Sequence, residues 1–315
     1  MTASRIPTIG ITLGDPRGIG PEIVAAVLSD PHLRRVMRPL VIGPDELVGE
    51  YQAHSGIGSW TGGGERGAGA ASGHAIERAV ELAGSGRIDG VVTGPISKRA
   101  LNAAGFAFPG HTEFLRDATG TPEVTMMMAA EATPLGGALR MAVLTGHVAL
   151  RDVPARLTVD LVVTRTRVAV RALRDWWGFE RPRIAFAGVN PHASEGGLFG
   201  DEEATVLTPA AAAVAADEDA EVLGIFPADT IFRRCITGEV DAVVVPYHDV
   251  GLAVIKTLAR DTGVNVTAGL PFPRTSPDHG TAMDIAGRGA ADPTSMRCAI
   301  ELCARFCQTR AAVSA

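Results

Sequence analysis

The stretch Gly86-Arg-Ile-Asp-Gly-Val-Val-Thr93 indicates an α/β fold, because it contains a helix end, an aspartate and then a short run rich in β-branched residues. Gly238-Glu-Val-Asp-Ala-Val-Val-Val245 repeats this layout later in the chain. Apolar runs of this kind are typical of strands buried on both faces of a parallel sheet. Two α/β units built in the same way would explain the repeat. Any helix-to-strand junction has a similar layout, so the sequence leaves both explanations open.

The rest of the chain continues this alternation of short β-branched runs and Ala-rich amphipathic segments. Such alternation is typical of a parallel sheet covered by helices. At 315 residues the chain is too long for one simple core, and we expect two α/β domains. The predicted strands are 8–13, 91–93, 141–144, 183–187 and 242–245. The predicted helices are 21–28, 74–82, 158–177, 203–215 and 294–306, and the Gly- and Ser-rich segment 55–72 is predicted to be a loop.

Charge and hydropathy argue against several classes of protein. The net charge of −6 disfavours a nucleic-acid-binding protein, which usually needs a basic face. No stretch approaches the roughly 18 apolar residues that a membrane-spanning helix requires. Residues 1–7 lack the charged and then apolar pattern of a secretory leader. The four cysteines lack disulfide-rich spacing, so we predict reduced thiols and a cytoplasmic protein.

Three histidines closely follow predicted strands: His147, His192 and His248. Open α/β sheets bind ligands at the carboxyl ends of their strands. Imidazoles converging there would suit a divalent metal with an open position for substrate. Their spacing contains no short-range pair such as His-x-x-x-His, so scattered loop histidines are the alternative interpretation.

Two glycine-rich segments each precede a predicted helix. Gly14-Asp-Pro-Arg-Gly-Ile-Gly-Pro-Glu22 is either an anion-binding loop or a tight turn, and it matches neither the dinucleotide fingerprint nor the Walker loop. The second, residues 195–203, places acidic residues where a helix dipole favours them. Lys256, Asn265 and Arg274 further along form either an anion clamp or ordinary solvated charge.

Taken together, these motifs resemble the 4-hydroxythreonine-4-phosphate dehydrogenase family of pyridoxal phosphate biosynthesis. The similarity spans nearly the whole chain in the family's order. The matching segments are Gly14–Glu22, Thr93-Gly-Pro-Ile-Ser-Lys98, Pro109-Gly-His-Thr-Glu113, Leu150-Arg-Asp-Val-Pro154, Asn190-Pro-His192, Pro227-Ala-Asp-Thr230, Tyr247-His-Asp249, Gly263-Val-Asn-Val-Thr267, Arg274 and His279-Gly-Thr281.

The resemblance implies roles for individual residues. The divalent metal, Zn, Mg or Co, is expected on His147, His192 and His248. The expected substrate contacts are His111, Thr112, Lys256, Asn265 and Arg274. The expected acid or base is Asp229, with Lys98 as the second candidate.

The segment from His279 to Gly287 is also similar to the cofactor-side loop of isopropylmalate dehydrogenases. This similarity implies that NAD or NADP binds to a loop unlike the Rossmann fingerprint. The expected cofactor contacts are Gly196, Gly197, His279, Gly280 and Asp284.

The same resemblance implies an α/β fold of two α/β/α domains with a cleft between them, as in isocitrate and isopropylmalate dehydrogenases. We expect a discontinuous first domain of residues 1–130 and 280–315. The second, residues 131–279, is expected to hold the metal and the contacts of a homodimer whose active site lies at the subunit interface.

The implied reaction is metal-dependent, NAD(P)-linked oxidation and decarboxylation of 4-hydroxy-L-threonine 4-phosphate to 3-amino-2-oxopropyl phosphate. Departures from the family pattern at Gly146, Val250 and the short segment 55–72 leave the substrate open. The alternatives are 4-phosphorylated threonate or erythronate and, more remotely, a dihydrodiol carboxylate. A metal hydrolase and an inactive ligand-binding protein are the alternatives from other classes. No nucleic acid or membrane partner is expected.

Overall fold

The computed structural model describes residues 5–217 and 219–313. No leader is expected at residues 1–7, and residues 1–4 of that segment lie outside the described residues. The chain divides into two units. Unit 1 comprises Met1–Pro122 and Leu270–Ala315, and unit 2 comprises Glu123–Gly269. The chain therefore crosses between units near 122 and 269, whereas the sequence placed the boundaries near 130 and 280.

The elements alternate as an α/β protein requires. The strands are β1 (Thr8–Thr12), β2 (Arg38–Gly43), β3 (His54–Gly56), β4 (Gly90–Thr93), β5 (Thr125–Ala130), β6 (Leu139–Thr145), β7 (Arg183–Ala187), β8 (Glu221–Phe226), β9 (Ala242–Tyr247), β10 (Val264–Ala268) and β11 (Arg274–Pro277). The α-helices are α1 (Gly20–Leu28), α2 (Leu33–Val36), α3 (Asp45–Val48), α4 (Gly64–Gly84), α5 (Lys98–Ala103), α6 (His111–Ala118), α7 (Val153–Arg156), α8 (Val159–Asp175), α9 (Thr208–Ala215), α10 (Ile231–Ile236), α11 (His248–Leu258) and α12 (Thr294–Val313). A short 3₁₀ turn spans Leu150–Asp152, a turn with left-handed backbone spans Pro191–Gly197, and a π-helix spans Glu203–Leu207.

The strands of unit 1 are all parallel and lie in the order β3-β2-β1-β4-β11. Ile9 and Ile11 of β1 and Val91 and Val92 of β4 are completely buried. A parallel sheet covered by helices needs apolar side chains on both faces of its central strands. The apolar run in Gly86–Thr93 therefore supplies a central strand of this unit.

The strands of unit 2 lie in the order β10-β5-β6-β9-β7-β8. Strands β6, β9, β7 and β8 are parallel, as predicted, whereas β5 runs antiparallel to both β10 and β6. The physical reason is the short connection 131–138 between β5 and β6, because a parallel pair needs a much longer crossover. The core includes Met141, Val243 and Val245, which are buried against α10 and α11.

The repeat in the sequence corresponds to equivalent hydrogen bonds within the two units. In unit 1 the Asp89 carboxylate accepts the backbone N–H of Thr8 (2.7 Å), while the Asp89 N–H donates to the Thr8 carbonyl (2.7 Å). In unit 2 the Asp241 carboxylate accepts the backbone N–H of Arg183 (2.7 Å), and its N–H donates to the Arg183 carbonyl (2.8 Å). Each aspartate thus joins the entrance of its own strand to the start of the neighbouring strand. The two units are built in the same way at this point.

The predicted loop over 55–72 is wrong in its second half, because α4 begins at Gly64. Glycine in this helix makes room for other backbone and side chains. A Cβ on Gly69 would lie 1.8 Å from the Ala100 carbonyl oxygen, and one on Gly73 would lie 2.2 Å from the Phe106 ring. The glycines therefore permit close packing of α4. No helix within 5–217 or 219–313 is long and apolar enough to cross a bilayer.

Candidate active site

The candidate residues lie where the chain leaves the strands. In unit 1, Lys98 is the first residue of α5, shortly after β4. In unit 2, His147 follows β6, His192 follows β7, and His248 follows β9 as the first residue of α11. The carboxyl ends of the strands are where sheets of this class bind ligands.

Three basic side chains of unit 1, His111, Lys98 and Arg274, lie near one another, and we call them the basic cluster. The Arg274 side chain is only 2% exposed, and its guanidinium donates to the hydroxyl of Thr93. Burial lowers the pKa of Arg274 to about 9, so the side chain remains cationic at neutral pH. Burial, with the nearby positive charges of Arg274 and Lys98, holds the pKa of His111 well below 6.5. An anion would relieve this crowding of positive charge.

The His111 ring also has an unused hydrogen-bonding atom. Its Nε2 is buried and has no hydrogen-bond partner among the described residues. His111 and the half-buried Thr112 are the first two residues of α6, where backbone N–H groups also favour an anion. Ser97 accepts the Ala100 N–H at the start of α5 (3.2 Å) and so fixes the helix turn that carries Lys98.

In unit 2 the structure brings His147 and His248 together, with their ring centroids 5.6 Å apart. The Nδ1 atom of His248 lies 2.7 Å from a carboxylate oxygen of Asp249. A partner on one ring nitrogen leaves the other nitrogen to face a metal. Asp249 is not among the residues predicted from the sequence, although its position directly after His248 is a visible signal.

His192 lies in an unusual loop of the same unit. Four consecutive non-glycine residues, 192–195, adopt left-handed backbone conformations, with φ between 42° and 68°. The ring centroid of His192 lies 6.3 Å from that of Phe199. This conformation costs an L-residue roughly 1–2 kcal/mol, so neighbouring groups must stabilise the loop.

The stabilising group is Glu203, which is 6% exposed. Its carboxylate accepts the backbone N–H groups of Val189 and Asn190, each at 2.8 Å, and also the hydroxyl of Ser194. Burial raises the pKa of Glu203, but the hydrogen bonds from Asn190 and Ser194 outweigh it and lower the pKa overall. The sequence predicted only a favourable interaction with a helix dipole at residues 195–203, so this anchoring role was missed.

The metal-ligand set is only partly assembled in the described residues. His147 and His248 fit as two imidazole donors, but no group of three or more His, Cys, Asp or Glu side chains there is close enough to hold a metal. The chemistry of the donors suits a divalent cation. His192 would have to move with its loop, or the ligand set would have to be completed differently.

The other predicted substrate contacts in unit 2 lie on regular elements. Lys256 is on the exposed side of α11, and Asn265 is on β10. The Asn265 Oδ1 atom is buried, with no hydrogen-bond partner among the described residues. Asp229 is exposed in the turn before α10. A buried, unsatisfied amide oxygen can accept a hydrogen bond from a ligand hydroxyl or ammonium group.

The predicted cofactor contacts fall in two different loops. His279, Gly280 and Asp284 belong to an irregular segment of unit 1 between β11 and α12. The His279 Nε2 atom is buried and has no hydrogen-bond partner among the described residues. Gly196 and Gly197 belong to the left-handed loop of unit 2, and both have positive φ.

Comparisons with known proteins agree with this architecture. The family described as "Pyridoxal phosphate biosynthetic protein PdxA" matches residues 47–303. A 4-hydroxythreonine-4-phosphate dehydrogenase of Desulfosudis oleivorans is 42% identical, covering 94% of this chain and 95% of the relative. A D-threonate 4-phosphate dehydrogenase of Cupriavidus necator is 41% identical, covering 97% and 99%.

A solved structure extends the comparison to the fold. The 4-hydroxythreonine-4-phosphate dehydrogenase from Klebsiella pneumoniae is 38% identical, has a TM-score of 0.83, and is matched over 96% of this chain and 99% of its own. The predicted α/β fold class is thereby confirmed. The relatives bear dehydrogenase names, so the chain is an oxidoreductase. On the extent of the family match and the near-complete coverage of these relatives, the chain belongs to the PdxA family of pyridoxal phosphate biosynthetic proteins.

Proposed function

We propose that this chain oxidises and decarboxylates 4-hydroxy-L-threonine 4-phosphate to 3-amino-2-oxopropyl phosphate, using NAD or NADP and a divalent metal. The observation that carries the proposal is the basic cluster of His111, Lys98 and Arg274. A buried Arg274 and a histidine with an unpartnered Nε2 suit a compact, strongly charged anion such as a phosphate monoester. A dihydrodiol carboxylate carries no phosphate and would leave the charge of the basic cluster unmatched.

The basic cluster supplies binding and orientation of the substrate. Arg274 holds the phosphate as a fixed cation, while Thr112 and the start of α6 offer hydrogen-bond donors. Holding a remote group of the substrate converts binding energy into correct placement of the reacting carbon. We assign Lys256 and Asn265 to other polar groups of the substrate, since Asn265 keeps an acceptor atom available.

The redox and acid chemistry would come from bound groups. A divalent metal (Zn, Mg or Co) held by His147, His192 and His248 would supply Lewis acidity that lowers the pKa of the substrate hydroxyl. NAD or NADP near His279, Gly280 and Asp284, with Gly196 and Gly197, would supply the hydride acceptor. The exposed Asp229 is our candidate acceptor for the hydroxyl proton, and Lys98 is the second candidate.

We also propose a cytoplasmic homodimer in which the partner subunit completes the site. Leu150, Leu198 and Phe199 support this, because they are 67%, 72% and 44% exposed and lie beside the metal histidines in sequence. A contiguous patch of exposed large apolar side chains marks an interaction surface, and we infer that these three belong to such a patch. Free thiols at all four cysteines, each within the described residues, suit a reducing compartment.

A second substrate is favoured by one observation. The D-threonate 4-phosphate dehydrogenase is 41% identical, nearly as similar as the 42% relative named 4-hydroxythreonine-4-phosphate dehydrogenase. Both substrates carry a terminal phosphate, so the basic cluster would bind either. The difference lies at the substituent next to the oxidised carbon, which is an amine in one and a hydroxyl in the other.

The test is NAD(P)H formation by metal-loaded protein with 4-hydroxythreonine 4-phosphate, 4-phosphothreonate and 4-phosphoerythronate. Turnover of the first supports the proposal, and turnover of only the others supports the alternative. Arg274→Lys should raise the substrate KM by about 10- to 100-fold, because it loses a fork-shaped donor. Exposed Arg116→Lys on α6 is the matched control. The absence of NAD(P)H formation with all three substrates, or turnover without NAD(P), would contradict the proposal.

A further inference from the structure

The motif Gly14–Glu22 is not an open anion-binding loop. Its Asp15 side chain is completely buried and accepts two hydrogen bonds from the Arg17 guanidinium, at 3.0 and 2.7 Å. The Arg17 backbone N–H donates to the same carboxylate (3.0 Å). The acid and base of the motif therefore neutralise one another, and the turn before α1 has a fixed shape.

The amino end of α1 instead binds another part of unit 1. The Ile19 N–H donates to the Thr281 carbonyl (2.9 Å). A Cβ on Gly18 would lie 2.7 Å from the same carbonyl oxygen and 2.9 Å from the Thr281 Cβ. Glycine at position 18 thus allows residues 279–289, which we call the cofactor segment, to pack directly on the motif.

A second contact holds the far end of the cofactor segment. One carboxylate oxygen of Glu22 accepts the N–H of Gly287 (3.1 Å) and the N–H of Gly289 (3.3 Å). Both glycines have positive φ, 73° and 65°. Backbone N–H groups in such conformations form a concavity that binds anions. Here the anion is a side chain of the protein itself.

We infer that Gly14–Glu22 is a platform that sets the shape of the cofactor segment, with Glu22 as a positioning residue for the nicotinamide dinucleotide. The inference rests on the proposed function, which assigns the cofactor to this segment. Thr281 is fixed at one end, and Gly287 and Gly289 at the other. The intervening residues, including Asp284, are therefore presented in one arrangement before the cofactor arrives. Preorganisation of this kind strengthens binding by removing the ordering cost.

The experiment compares wild type, Glu22→Ala and Glu22→Gln, with exposed Glu77→Gln on α4 as the matched control. The dissociation constants of NAD and NADP are measured by calorimetry, and amide exchange is followed in peptides covering 279–289. Glu22→Ala removes the acceptor of the Gly287 and Gly289 N–H groups. It should therefore weaken cofactor binding by about tenfold, which corresponds to about 1.4 kcal/mol, and speed amide exchange in the segment. Glu22→Gln retains one acceptor oxygen and should show a smaller effect.

The steady-state readout separates positioning from general stability. Glu22→Ala should raise the cofactor KM while leaving kcat and the KM for the phosphorylated substrate close to wild type. Gly18→Ala, which alters the contact with Thr281, should also raise the cofactor KM. This variant replaces Glu22→Ala in the test if Glu22→Ala does not fold. Faster amide exchange with unchanged dissociation constants for NAD and NADP would overturn this inference but not the proposed function. A wild-type protein that binds neither NAD nor NADP would overturn the proposed function as well.

Discussion

Asn190 donates two hydrogen bonds to Glu203, one from its backbone N–H (2.8 Å) and one from its side-chain Nδ2 (2.9 Å). These bonds join the end of β7 to the start of the π-helix and enclose the left-handed residues 192–195. The loop that carries His192 therefore depends on one buried carboxylate.

Replacing that carboxylate should destabilise the fold. Glu203→Gln places an amide nitrogen among backbone donors, and leaving such groups unsatisfied costs about 2 kcal/mol. The free energy of unfolding in urea measures this loss. Glu202→Gln is the matched control. The Glu202 carboxylate accepts a hydrogen bond from the Asn190 side chain (2.6 Å) and, among the described residues, none from a backbone N–H. Equal stability of the two variants would contradict the anchoring role.

Binding of a phosphate monoester should take up a proton at His111. Burial and the positive charges of Arg274 and Lys98 hold the pKa of His111 well below 6.5, and a bound dianion would raise it. Affinity should therefore fall as the pH rises through the interval between the ligand-free and bound pKa values. Calorimetry in buffers of different ionisation enthalpy counts the proton. His111→Asn should abolish the uptake, whereas exposed His32→Asn should retain it.

The same lowered pKa of His111 predicts how stability depends on pH. Unfolding returns the imidazole to its usual pKa near 6.5, so below that pH the unfolded chain binds a proton that the folded chain does not. The contribution of His111 to stability is thus complete above pH 6.5 and decreases as the pH falls below it. Thermal unfolding between pH 7.5 and 5.5 checks the slope. A slope that His111→Asn leaves unchanged would assign the effect to other groups.

Asp249 should matter for metal affinity although it is exposed. Its carboxylate lies 2.7 Å from the Nδ1 of His248, and such partners of a metal-binding histidine typically affect affinity by 10- to 100-fold. Because Asp249 is exposed, we expect Asp249→Asn to weaken binding of Zn or Co by about tenfold. Calorimetry with the metal alone provides the measurement, with exposed Asp261→Asn as the control. An unchanged dissociation constant would show that His248 needs no such partner.

Alanine should act in opposite directions at two glycines of α4. Gly69→Ala would drive a methyl group into the Ala100 carbonyl oxygen and should cost about 2 kcal/mol or more. At Gly84 a Cβ meets nothing within 4 Å, so alanine should stabilise the helix by about 0.5–1 kcal/mol. Chemical unfolding of both variants provides the comparison. A stabilised Gly69→Ala protein would mean that α4 can move away from α5.

The sequence predicted elements well where the apolar pattern is continuous. Strand β7 spans Arg183–Ala187 as predicted, and the predicted 242–245 lies within β9. Strand β2 was missed because Arg-Pro-Leu-Val-Ile-Gly begins with residues that disfavour a strand, and β8 was missed because Gly224 interrupts it. Helix α4 was placed too short because glycine there serves packing against α5 and Phe106, which the local sequence does not reveal.

The candidate site was predictable to the extent that it depends on local position. Residues His147 and His248 follow strands, and their rings come together as residues at neighbouring strand ends should. The position of His192 depends on left-handed backbone that no apolar pattern encodes. The hydrogen bonds of Glu203 with Asn190 likewise depend on how residues 191–202 return the chain to the strand end. Long-range contacts of this type need the folded chain.

The paired aspartates have a consequence for how this architecture changes over evolution. Asp89 and Asp241 secure the strands of their units at the entrances, whereas Lys98 and His248 follow the same two strands at their exits. The residues that hold the scaffold together and the residues of the candidate site thus lie at opposite ends of each strand. A lineage can exchange residues at the exits and acquire a new substrate while the entrances keep the scaffold intact.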